Sequence, residues 1–69
     1  MPADLHELSS ISSSLQQLTR RVAEMAEGLD RSGEEDAAAS LFGVERALEG
    51  ASRRLSRVIE TGRLANPLR

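Results

Sequence analysis

The chain is predicted to be all-α: an antiparallel, coiled-coil-like two-helix hairpin that dimerises into a four-helix bundle. Three observations predict this. Apolar residues recur at alternating spacings of three and four through two long segments. A short polar stretch bounded by Gly28 and Gly33 separates those segments. Finally, the 69 residues include no cysteine, one histidine and a single aromatic residue, Phe42. Chains this short are usually stabilised by disulfides, a metal or oligomerisation. Without cysteine there is neither a disulfide nor a thiolate metal site, and one histidine makes a poor zinc site. Self-association is the device left.

The first helix is expected over residues 4–29. Its seam is Leu8, Ile11, Leu15, Leu18, Val22, Met25 and Leu29, all apolar, with Leu5 at the edge. The flanking Ser12, Thr19 and Ala26 are small, so a partner helix can come close on that side. Pro2, Asp4 and Glu7 read as a helix start and capping pair. The serine run Ser9, Ser10, Ser12, Ser13 and Ser14 weakens local helix preference, so the first turns should depend on packing. A solvated face explains these serines more simply than phosphorylation.

The bend follows at residues 30–33. Gly28 is the expected left-handed end of the first helix, and Ser32 with Glu35 is the expected capping box of the second. A turn this short sets the helices side by side and antiparallel. The second helix is expected over 33–62, with the seam Ala37, Leu41, Val44, Leu48, Ala51, Leu55 and Val58, widened by Ile59. Gly62 is the expected stop, with Pro67 beyond it. Residues 1–62 thus form the hairpin and 63–69 a C-terminal tail, whose Leu64 and Leu68 can pack on a neighbour.

The candidate self-association seam is Leu8, Ile11, Leu15, Leu18, Val22, Met25, Leu41, Val44, Leu48, Leu55 and Val58. A possible partner interface is Phe42, Gly43 and Ala47. Phe42 points about 150° from the centre of the second stripe, either as an exposed anchor or folded over the tip against Ala38. Ala39, Gly43, Ala47 and Ala51 form one small-residue ridge. The glycines Gly43 and Gly50 lie inside the expected helix, where close approach by another helix or simple composition would account for them.

Charge is sorted along the chain. Residues 24–36 carry six acids and one base, and residues 51–69 five bases and one acid. Acids at the start of the second helix and bases at its end suit its dipole, and Glu27–Arg31 and Glu49–Arg53 are favourable pairs. Two hairpins laid antiparallel bring each acidic tip to the other's basic end, so an antiparallel homodimer is expected. A possible basic contact, Arg53, Arg54 and Arg57, supports a nucleic-acid-associated regulator as an alternative. A net charge of −2 and the lack of interleaved aromatics weigh against nucleic acid, and the missing aromatic anchors weigh against a membrane surface.

No catalytic constellation is present. His6-Glu7 lacks the second histidine of a zinc-helix motif, no serine sits in a glycine-bounded elbow, and no phosphate-binding glycine loop occurs. No catalytic, cofactor or metal residue is assigned, and an enzyme is not expected. No basic-then-apolar leader and no 18-residue apolar run is visible, so the expected location is cytoplasmic. All nine basic residues are arginine, which suggests a GC-rich bacterial coding sequence, with selection of arginine for ion pairs as the rival explanation.

The hairpin size and the segment Leu41-Phe42-Gly43 resemble the small secreted WXG-type helical hairpins. The tryptophan is absent, Gly43 falls inside a helix instead of the bend, and the tyrosine-containing C-terminal export signal has no counterpart. The resemblance implies secretion as an alternative function. The main expectation is a non-catalytic interaction module that self-associates and presents helix faces to a protein partner, as an adaptor, regulator or subunit of a larger assembly.

Overall fold

A computed structural model describes the backbone of residues 2–65 and the side chains of residues 5–63. Two helices, α1 (Pro2–Arg31) and α2 (Glu35–Ala65), pack against each other as a hairpin 54 Å long and 15 by 11 Å across. The side chain of Asp4, the expected cap, lies outside the described residues, as do Pro67 and Leu68.

The bend differs from expectation in which glycine it uses. Gly28 stays inside α1, which runs on to Arg31. The left-handed residue is Gly33, at φ 85°. Its N–H donates to the Asp30 carbonyl at 3.1 Å, and the Glu34 N–H donates to the Leu29 carbonyl at 2.9 Å. That pair of bonds is a Schellman motif, which satisfies carbonyls at the helix end. Ser32 therefore closes α1 and does not cap α2. The cap position of α2 is Glu34, whose carbonyl accepts the Ala38 N–H at 2.9 Å. Glu35 and Asp36 in the first turn complement the dipole of α2.

At the far end α2 passes through Gly62 to Ala65, so the first residues of the expected tail are helical. Gly62 is a point of contact and not a stop. A methyl group built there would lie 2.8 Å from Leu5 Cδ2. The missing side chain lets Leu5 rest on α2 and holds the open end of the hairpin together.

The line of closest packing also lies beside the apolar seam, not on it. Buried positions of α1 are Ser12, Thr19 and Ala26; those of α2 are Ala38 and Ile59. Glu45 and Ser52 continue the α2 line at intervals of seven and are half-buried. Small side chains on this line let the backbones approach closely. Thr19 satisfies its hydroxyl by donating to the Leu15 carbonyl of the preceding turn at 2.7 Å. The buried Ser52 Oγ has no hydrogen-bond partner. Flanking the line, Leu8, Leu15, Val22 and Leu29 of α1 and Leu41, Leu48 and Leu55 of α2 are half-buried.

The two bend glycines should respond oppositely to alanine. Gly33→Ala forces a side chain into left-handed backbone and should cost about 1–2 kcal/mol. Gly28→Ala meets only the tip of Arg31, at 4.0 Å, and should gain roughly 0.5–1 kcal/mol from helix preference. Thermal melts followed by circular dichroism read both.

Candidate interaction surface

Seam residues that do not serve the hairpin are displaced to one side of it. Ile11, Leu18 and Met25 of α1 and Val44 and Val58 of α2 are exposed, from 45% at Val44 to 64% at Met25. Each immediately precedes a residue of the close-packed line: 11 before 12, 18 before 19, 25 before 26, 44 before 45, 58 before 59. One residue is an offset of about 100° around a helix. In an antiparallel pair, the same offset carries both stripes to the same side. Ala37 and Ala51, also exposed, complete the α2 stripe at intervals of seven. The half-buried leucines form the floor between the stripes.

The expected seam therefore divides by depth. Leu8, Leu15, Val22, Leu41, Leu48 and Leu55 are half-covered by the other helix, whereas Ile11, Leu18, Met25, Val44 and Val58 face outward. No large side chain is fully buried among the described residues. The chain exposes 5312 Å², whereas a compact monomer of its 7.5 kDa mass exposes about 4,200 Å². That excess is comparable with the roughly 800 Å² each partner loses in a standard interface.

Phe42 is half-buried and lies on the opposite flank of the close-packed line from the exposed stripes. Gly43 is half-exposed and Ala47 exposed. Nothing lies within 4 Å of a Cβ built on Gly43, and at Gly50 the nearest atom is the Arg53 side chain at 3.8 Å. The hairpin itself requires neither glycine. Arg53, Arg54 and Arg57 are exposed and, with Ala47, Gly50 and Ala51, line a shallow depression on the outside of α2.

The chain matches no known protein family, no curated protein and no solved structure.

Electrostatics within the hairpin are slight. Among the described residues the one ion pair is Arg63–Glu60, at 3.8 Å and exposed, a kind of contact that contributes little. The expected pairs Glu27–Arg31 and Glu49–Arg53 are not within ion-pair distance, because exposed side chains gain little by giving up rotamer freedom. Three or more metal-binding side chains do not cluster among the described residues. No described helix is long and apolar enough to cross a membrane.

The most specific feature missed from sequence is the column Ala38, Glu45, Ser52 and Ile59. Its interval of seven was readable, but its polar members hid it from a search for apolar periodicity. Gly62 was missed as a contact because its position near a chain end reads equally well as a stop.

Gly43→Ala adds no clash within the hairpin and replaces a poor helix former, so it should raise stability by about 1 kcal/mol. Gly43→Leu probes the ridge with a larger side chain. Urea unfolding measures the first. Lost self-association in the second, with normal helicity, would place the ridge in an interface.

Proposed function

We propose that this chain is a non-catalytic protein-interaction module whose first partner is a second copy of itself, the two hairpins forming an antiparallel four-helix bundle. The observation that carries this reading is the row of large apolar side chains exposed on a single side: Ile11, Leu18 and Met25 at intervals of seven, and Val44 and Val58 with Ala51 midway between them. An isolated rod with that surface leaves apolar area in water that a matching surface removes.

A second copy is the occupant the chemistry favours. The apolar side is complementary to itself in period, and the excess exposed area is about what one partner loses in a standard interface. Charge selects the orientation. The acids Glu24, Glu27, Asp30, Glu34, Glu35 and Asp36 surround the bend, while Arg53, Arg54, Arg57 and Arg63 lie toward the open end. Antiparallel packing sets unlike ends together, and parallel packing sets like ends together. Exposed charges steer register more than they add affinity. The remaining outer faces are then free for a protein client, as in a small adaptor, regulator or assembly subunit.

Sedimentation equilibrium over a dilution series tests the association directly. The expected species is a dimer that loses helicity as it dissociates; a fully folded monomer at nanomolar concentration would refute the reading. Leu18→Glu should weaken the dimer by at least about 3 kcal/mol, on the order of a hundredfold, whereas Gln16→Glu on the polar flank should not. For orientation, a spin label on Ser32→Cys is unique because the chain has no cysteine. Antiparallel packing predicts a label separation approaching the 54 Å length of the rod; a short tip-to-tip distance would mean parallel packing.

A further inference from the structure

The side of the hairpin away from the apolar stripes is organised around arginine. Arg46 and Arg53 each immediately follow a residue of the close-packed line, and Arg57 follows at the next helical turn. Arg54 lies beside them on the outermost strip of α2, and Arg20 of α1, one residue after Thr19, faces the same side. All five are exposed. None has a carboxylate within ion-pair distance among the described residues. Between the guanidinium groups of α2 the surface is low, formed by Ala47, Gly50 and Ala51. Gly43 and Ala39 continue that small-residue strip toward the bend.

We infer that this face binds the phosphodiester backbone of a nucleic-acid duplex, independently of residue contacts to bases. The choice of arginine is the first reason. A planar guanidinium pairs with phosphate oxygens through two parallel hydrogen bonds, which an ammonium does not do. Spacing is the second. Arg46, Arg53 and Arg57 lie at successive rises of about 10 and 6 Å along one helix, a row that can follow a line of phosphates. The third is the strip of small residues, which allows a backbone to approach α2 without meeting bulky side chains. The surface has no aromatic residue to stack on unpaired bases, which single-strand binders use. It also lacks the large apolar residues that anchor a protein helix.

The acidic bend is remote from the Arg53, Arg54 and Arg57 part of this patch. Arg53 and Asp36 are seventeen residues apart on one helix, about 25 Å, beyond two Debye lengths of about 8–10 Å at physiological salt. Two acids of α1 are near Arg20: Glu24, one turn on, and Glu27, which follows Ala26 and faces the same side. Glu49 shares a shallow cleft with Arg53, Gln16, Thr19 and Ser52; Glu45 is half-buried on the close-packed line, and Glu60 sits with Arg63 toward the open end. The arginine face adjoins the apolar stripe of α2 along Ala51, which borders both.

Fluorescence anisotropy with a labelled mixed-sequence DNA duplex of about two helical turns tests the inference. The full chain should bind with little sequence preference. Three to four phosphate contacts give a slope of log affinity against log salt of about −3, so affinity falls on the order of a hundredfold between about 50 and 200 mM salt. Arg53→Gln/Arg57→Gln should lose most of that affinity and shallow the slope by about 2. Arg31→Gln at the bend should bind as the unaltered chain does. Circular dichroism of each variant separates lost binding from lost folding. No binding at low salt, undiminished binding by a folded double variant, equal binding to a single strand of the same length, or tighter binding to poly-glutamate would each overturn it.

Discussion

The constraint on which the rest depends is the narrow line of small residues between the helices. Ser12, Thr19, Ala26, Ala38 and Ser52 are small, and Glu45 and Ile59 are the larger residues that share the line. Two rods that approach so closely push their large apolar side chains off the axis between them. Half of those side chains become a partly covered floor, and half are left outside. The hairpin thus gains closeness from its inner line but little apolar burial, since among the described residues only Ala26, Ala38 and Ile59 are buried hydrophobic residues. A chain built this way places its main apolar resource where a second molecule can reach it.

The same arrangement gives the molecule distinct sides. Residues just before the inner line are apolar, and several of those just after it are arginine or serine. One-residue offsets from a common line therefore generate chemically different surfaces without any insertion or loop. A second gradient runs at right angles to this, from the carboxylates at the bend to the guanidinium groups toward the open end. Position around the rod sets the chemistry of each side, and position along it sets the sign of the charge.

Much of the hairpin was legible in sequence because its signals are local and periodic. The helices, their antiparallel course and the short bend follow from spacing and from the polar break alone. The exposed and half-covered members of the seam could not be separated that way, because an apolar column of period seven looks the same whether it faces a neighbour or water. What distinguishes Leu15 from Leu18 is the placement of Thr19 beside α2, a tertiary fact. The glycines show the same limit. Gly28 and Gly33 both suit a helix end, and only the backbone path selects Gly33. Gly62 reads as a terminator until Leu5, fifty-seven positions earlier, is seen to lie against it.

The hairpin course also decides how the molecule bears load. Because the bend at Ser32–Glu34 returns the chain upon itself, Pro2 and Ala65 emerge at a common pole. Tension between them opens the pair like a zipper, engaging one turn at a time, beginning where Leu5 rests on Gly62. Peeling concentrates force on a few contacts and yields at lower load than sliding two rods past each other. Anchored by one end alone, the hairpin bears no such strain and projects its carboxylate-rich tip outward as a spacer.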